Sequence, residues 1–206
     1  MKTLIKNATI IQDNTPKVAS IEIKEDKIVA LHFDNNFQNE NDFDSVIEAN
    51  KQLLIPGMID VHIHGANHYD MMDGTVKSIQ EVSKKCLQTG TTGFLVTSVT
   101  SSLEQLLGMI KAVKETIGKE EGAKILGIHL EGPYLNPIKK GMQDPNHLRL
   151  PNLDEMKEIM LYAEGLIKMV TIAPELPGAH EVIDYLISEG VVVAAGHTNA
   201  TYEEGI

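Results

Sequence analysis

From residue 51 onward, apolar runs of strand length alternate with amphipathic helical segments, and this alternation limits the fold more than anything else in the chain. The runs are Leu53 to His64, Gly93 to Thr100, Lys124 to Glu131, Leu166 to Pro174 and Val191 to His197. Between them, Val76, Ile79, Val82, Cys86 and Leu87 recur at helical spacing, as do Leu103, Leu106, Leu107, Ile110 and Val113. Ser102 with Gln105 gives the second helix a capping box. Asn152 caps a third segment that carries Met156, Ile159 and Met160. Val182, Ile183, Leu186 and Ile187 mark a fourth, which Gly190 is placed to end, and a further helix begins at Thr201. A strand as apolar as Val191 to His197 is expected to be buried on both faces. Alternating strands and helices of this kind make a parallel sheet.

Two parallel layouts are open: a doubly wound sheet and a barrel. Polar residues gather at the C-terminal ends of the first, third and fifth strands, where barrel enzymes build their sites, and this favours the barrel. The expected fold class is α/β: a partial (β/α)8 TIM-type barrel of about five βα units over residues 51–206. A full barrel of this type takes about 250 residues, so the chain is expected to be the N-terminal portion of a longer protein. A small α/β protein complete at Ile206 is the competing view. Residues 1–50 read as a small β-sandwich-like domain without chemistry: Leu4 to Ile11, Val18 to Ile23, Lys27 to Phe33 and Val46 to Ala49 are short strands, and Asp34 to Asp44 is a polar exposed loop.

Composition excludes several functions. The net charge of −11 argues against a nucleic-acid partner, which usually needs a basic face. It also means that an anionic substrate must be held by local groups. Nothing approaches the roughly 18 apolar residues of a membrane span, and Met1 to Asn7 lacks the apolar stretch of a signal peptide. With Cys86 as its single cysteine, the chain has no internal disulfide, and a cytoplasmic location is expected. There is no GxGxxG or GxxxxGKS/T motif for a nucleotide. Cys86 falls on an amphipathic helical segment, where a core or surface role is expected rather than that of a nucleophile.

The chemistry lies at strand ends. In Pro56-Gly57-Met58-Ile59-Asp60-Val61-His62-Ile63-His64-Gly65, His62 and His64 are two apart on a strand and so share a face. Asp60 shares that face and is placed to support a ligand. Glu131 ends the third strand just before Gly132-Pro133, and a carboxylate at a buried strand end needs a partner or a cation. His197 ends the fifth strand behind Ala195-Gly196, two small residues that permit close approach. Three imidazoles and a carboxylate suit zinc, iron(II) or another divalent transition metal, one ion or two, and such a metal suits hydrolysis. The loop Tyr134 to Gln143 directly follows Glu131 and is positioned to cover the metal; its Lys139 and Lys140 are locally cationic.

Taken together, these segments resemble the amidohydrolase superfamily, and more narrowly the N-acetylglucosamine-6-phosphate deacetylases. The resemblance is carried by the Pro56 to Gly65 motif, by His129-Leu130-Glu131-Gly132-Pro133-Tyr134-Leu135-Asn136-Pro137 with Lys139-Lys140-Gly141, by Thr171-Ile172-Ala173-Pro174-Glu175, and by Gly196-His197-Thr198-Asn199-Ala200-Thr201-Tyr202. It runs along the whole chain but covers only the first half of a family member. It implies a metal-dependent barrel beside a small β domain, a homodimer in the full-length form, and hydrolysis of N-acetylglucosamine 6-phosphate to glucosamine 6-phosphate and acetate. It implies that Glu131 and His197 bind metal, that His62 and His64 hold a second ion where there is one, and that Met142 and Gln143 lie where substrate is contacted. Many members carry His where this chain has Gln143. The general-base Asp is implied to lie downstream, as do a further metal-binding His and the phosphate-binding residues, so this chain alone is expected to be inactive. A galactosamine-type deacetylase, a dihydroorotase-like ring hydrolase and a non-catalytic metal-binding fragment are the alternatives.

Overall fold

The computed structural model describes residues 1–33 and 39–205, so residues 34–38 of the expected polar loop lie outside the described residues. The chain folds into two compact units, Met1–Pro56 and Gly57–Ile206.

The first unit is a four-stranded sheet. β1 (Lys2–Gln12) and β2 (Thr15–Lys24) form an antiparallel hairpin. Its turn is Asp13-Asn14, both left-handed at φ 52° and 57°, which matches the twist of the strands it joins. β3 (Lys27–His32) continues the meander, and β4 (Ser45–Glu48) returns parallel to β1, giving the order β3-β2-β1-β4. Ala8, Ala19 and Ile21 are buried on one face of this sheet, and Leu4, paired with Glu22, is buried on the other.

The second unit starts with β5 (Met58–Ile63), followed by a minimal hairpin of β6 (Gly65–Ala66) and β7 (Tyr69–Asp70). The expected strand from Leu53 is therefore shortened at its start. Leu53 instead bridges Thr9 of the first unit, and Pro56, with no N–H to give a ladder, separates it from β5. Then come α1 (Val76–Gln88), β8 (Thr91–Thr97), α2 (Leu103–Thr116), β9 (Lys124–Glu131), α3 (Leu153–Ala163), β10 (Ile167–Ile172), α4 (Ala179–Ser188), β11 (Val192–Ala195) and α5 (Tyr202–Gly205). The side chains of Thr75, Ser102 and Asn152 cap α1, α2 and α3 by accepting from the N–H groups of Ser78, Gln105 and Glu155.

The strand order β11-β10-β9-β8-β5 is strictly sequential, and every pairing is parallel. Crossovers of one hand that always step the same way put every helix on the same face. A doubly wound sheet reverses its order and covers both faces. This sheet is thus of barrel type. Its outer face and the helices share one core, in which Ile79, Val82, Leu106, Ile110, Met156 and Val182 pack on Phe94, Val96, Ile128, Leu130, Val170 and Ile172. Leu87 and Ile187, expected in those stripes, are instead exposed at the last turns of α1 and α4. Because strand side chains alternate, Ile128 and Leu130 on the core face leave His129 and Glu131 on the inner face.

Candidate metal centre

Glu131 is the hub of the inner face. It is only 6% exposed, and its backbone N–H donates to Ser98 Oγ at 3.1 Å. Around its carboxylate stand three histidines from two other segments. His64 Nε2 is 3.3 Å from Oε2, His62 Nε2 is 3.8 Å from Oε1, and His197 Nε2 is 3.1 Å from Oε1. Burial alone would raise the Glu131 pKa. The hydrogen bond from His64 and the charges of His64, His62 and His197 outweigh it and hold the group down at about 2. The hydrogen bond to Glu131 in turn raises the pKa of His64.

His62 and His64 meet as their spacing requires, with ring centroids 4.7 Å apart. Asp60 supports this segment through the backbone, accepting from the His62 N–H at 3.0 Å rather than from an imidazole. His197 is fixed from three sides. It adopts a left-handed backbone at φ 49°, its carbonyl accepts from Asn136 N–H at 2.9 Å, and its Nδ1 lies 2.9 Å from the Lys139 carbonyl. The closeness expected from Gly196 is real: a Cβ there would lie 2.6 Å from the Thr171 methyl group.

Whether these residues fit a cation can be tested on their donors. A carbonyl only accepts, so His197 Nδ1 carries the proton in its contact with Lys139. A neutral ring then presents the Nε2 lone pair to a carboxylate oxygen, which is repulsive. A positive charge between them, either a second proton or a metal ion, makes the contact attractive. His64 Nδ1 is buried and makes no hydrogen bond to a described residue. One donor atom each from His62, His64 and Glu131 lies within 4.8 Å of the others. His197 is outside that tightest group but contacts the same Oε1. The site therefore has the imidazole and carboxylate donors that a transition metal takes.

Two members of the inner face have no counterpart in the expectations from sequence. His129, two residues before Glu131 and 2% exposed, donates from Nδ1 to the Val61 carbonyl at 3.0 Å and accepts at Nε2 from Thr171 Oγ1 at 2.8 Å. Burial lowers its pKa, so both nitrogens of a neutral ring are satisfied, and it is a support for the site rather than a further ligand. Its ring lies against His62, with the two Nδ1 atoms 3.3 Å apart. Glu175, after β10, accepts from Asn136 Nδ2 at 2.8 Å, from Asn199 N–H at 2.7 Å and from Thr198 Oγ1. It thereby ties the loop that follows Glu131 to the loop that follows His197. Strand periodicity could have flagged His129 as sharing a face with Glu131, whereas the Glu175 contacts have no local signature.

The two residues expected at the substrate loop sit differently. Met142 is 81% exposed, while Gln143 is 2% exposed. Gln143 Oε1 accepts from the Thr100 N–H at 2.7 Å, and Nε2 donates to Glu131 Oε2 at 2.6 Å.

A sequential parallel sheet with histidines and a carboxylate gathered at the carboxyl ends of its strands is the layout of a barrel-type metal-dependent hydrolase. The amidohydrolase family model matches residues 53–204, and the chain belongs to this family of metal-dependent hydrolases. Within it, the chain is similar to sugar-phosphate deacetylases. It is 34% identical over 203 residues to N-acetylglucosamine-6-phosphate deacetylase of Bacillus subtilis, a match covering 96% of this chain and 50% of that protein. It is 31% identical over 161 residues to N-acetylgalactosamine-6-phosphate deacetylase of Escherichia coli O157:H7, covering 78% and 43%. Among solved structures, a variant of N-acetyl-D-glucosamine-6-phosphate deacetylase from Mycobacterium smegmatis, in complex with N-acetyl-D-glucosamine 6-phosphate, superposes with a TM-score of 0.84. That match has 28% identity and covers 99% of this chain and 51% of the other. The chain thus spans about half the length of the relatives it matches.

Proposed function

We propose that this chain provides the metal-binding carboxylate and histidines of a deacetylase that hydrolyses the acetamide of N-acetylglucosamine 6-phosphate to glucosamine 6-phosphate and acetate. The observation that carries this is the buried Glu131 carboxylate with nitrogens of His62, His64 and His197 at 3.1 to 3.8 Å. Glu131 and His197 would hold one divalent ion, with His62 and His64 beside them for the same ion or a second. The donor set favours zinc or iron(II) over calcium or magnesium. When bound, such an ion supplies a Lewis acid that polarises the amide carbonyl and brings a water's pKa towards about 7.

The residues of this chain prepare that chemistry. Glu131 keeps its charge against the effect of burial through the histidines around it. The Lys139 carbonyl fixes the His197 ring so that Nε2 faces the site. His129 and Thr171 fill the inner face beneath His62 without offering a competing free donor. Met142, exposed on the loop after Glu131, would be free to contact substrate, as its match to the family's substrate loop implies. The proton transfer from water to the leaving amine is assigned to no residue of this chain. A cytoplasmic setting suits a chain with one buried thiol and a phosphorylated-sugar substrate. The likeness to the E. coli relative supports the galactosamine isomer as a second reading.

The test combines metal analysis with acetate release. The purified 206-residue chain should bind zinc and release no acetate from N-acetylglucosamine 6-phosphate. Failure to bind zinc would sink the metal centre. Measurable turnover would contradict the assignment of proton transfer outside this chain. Side-by-side assay of both sugar phosphates, on the longest form in which the chain occurs, decides between the isomers.

A further inference from the structure

Gln143 stands at the one point where the loop after β9 turns back into the interior. It lies twelve positions after Glu131, yet its side chain reaches that carboxylate at 2.6 Å. The orientation of its amide is fixed by chemistry. The Thr100 backbone N–H needs an acceptor, and the Glu131 carboxylate needs a donor, so Oε1 must face Thr100 and Nε2 must face Glu131. At 2% exposure it has no solvent to turn towards. The same loop also holds His197 through Asn136 N–H and the Lys139 carbonyl.

We propose that Gln143 is a positioning residue for Glu131: its amide N–H holds Oε2, which turns Oε1 towards His62 and His197 as the oxygen offered to the cation. Oε1 is the oxygen nearer His62 and His197, at 3.8 and 3.1 Å, and Oε2 carries Gln143 together with His64. An uncharged donor fixes the carboxylate without adding a positive charge that would oppose a metal ion. The inference rests on Glu131 being a metal-binding carboxylate.

The test is a cobalt(II) titration of the purified 206-residue chain and its Gln143→Met and Gln143→Asn variants, read by the visible absorption of bound cobalt. Thermal unfolding without metal is measured alongside. Met keeps the volume and removes both hydrogen bonds. Asn keeps the amide but is too short to span Thr100 and Glu131 together. Affinity should fall about 10- to 100-fold in Gln143→Met, the usual range for a partner that orients a ligand, with an altered absorption spectrum. Gln143→Asn should fall in the same direction. Lowered stability with unchanged affinity and spectrum would overturn the proposal and leave Gln143 a tie between its loop and Thr100. A wild-type chain that binds no cobalt would overturn the metal reading of Glu131 and this inference with it. Should the variants not fold, the wild type decides by nitrogen-15 NMR. The Gln143 side-chain amide resonance should move as zinc binds, and one that does not move overturns the proposal.

Discussion

Breaking the Arg149–Glu155 pair should release the loop that carries Met142 and Gln143, and its cost can be worked from the contacts. Arg149 Nε lies 3.0 and 2.9 Å from the two carboxylate oxygens of Glu155, and Nη2 makes a further contact to Oε1. Tyr134 OH donates to Oε2 at 2.8 Å, and Arg149 Nη1 donates to the carbonyls of Ser101 and His147 at 2.9 Å. The loop is thus held at once to α3 and to the segment before α2. The side chains are 29% and 16% exposed, which places the pair between two regimes. Exposed ion pairs contribute about 0–1 kcal/mol, and breaking a fully buried one costs about 3–5 kcal/mol. Arg149→Met should therefore cost about 2 kcal/mol, and with a urea slope of about 2 kcal/mol/M the midpoint should drop by about 1 M. Desolvation raises the pKa of Glu155, but the hydrogen bonds from Arg149 and Tyr134 outweigh it and lower the pKa below 4.5. A carboxylate held below its unfolded value stabilises the fold above that value, and the contribution is lost as pH falls through the folded pKa. The coupling in a double-mutant cycle with Glu155→Gln should accordingly be full at neutral pH and fade as the medium becomes more acidic than 4.5. A neutral-pH coupling below about 0.5 kcal/mol, or one that persists undiminished in strong acid, would refute this account of how the loop is held.

Glu131→Gln keeps the shape of the hub but removes its charge, so zinc binding by titration calorimetry should weaken by more than the roughly 100-fold that bounds the loss of an outer partner. Gly196→Ala puts a methyl 2.6 Å from Thr171 Cγ2 and should cost about 1–3 kcal/mol in thermal unfolding. Adding Thr171→Ser removes that methyl, keeps the hydroxyl on His129, and should restore most of the loss. Cys86 is 4% exposed on α1 and burial raises its thiol pKa, so an aromatic disulfide reagent should modify it only as fast as the chain unfolds. Rapid modification of the folded chain would place Cys86 outside the core.

What was legible in the sequence was what local periodicity encodes. A period of two puts His62 and His64 on one face, and 3.6-residue spacing marks the buried stripes of the helices. Glu131 stood out in the sequence because it ends an apolar strand against Gly132-Pro133, and His197 because it follows one, although β11 stops at Ala195 and His197 lies two residues past its end. The departures have a common physical cause. Leu53 belongs to an apolar run by composition, but which sheet it joins depends on Thr9, 44 positions earlier. Gln143 reads as an ordinary loop residue, and its burial is decided by a backbone N–H at Thr100, 43 positions away. Glu175 resembles any strand-end carboxylate until Asn136 and Asn199 are brought to it. Contacts of this range are set by the tertiary fold of each unit, which no window of sequence contains.

The curvature of the parallel sheet is what makes the site. Neighbouring strands lie about 4.8 Å apart, so in a flat sheet β5 and β9, with β8 between them, would be separated by about 10 Å. β9 and β11, with β10 between them, would be as far apart on the other side. Side chains on one face of a flat sheet stand nearly parallel, and those separations would persist at their tips. Yet His62 Nε2 from the β5 side and His197 Nε2 from the β11 side lie 3.8 and 3.1 Å from the same oxygen of Glu131. The inner face must therefore be concave, with alternate strands pointing at a common centre. Small residues permit this: Gly196 lets β11 approach β10, where a Cβ would meet Thr171 at 2.6 Å. Gly93 on β8 does the same against Leu126, with a would-be Cβ 2.8 Å from Cδ1. The gathering of these donors and the barrel-type curl have one structural cause, and a substitution that flattens the sheet should disperse the donors even when every one of the four side chains is kept.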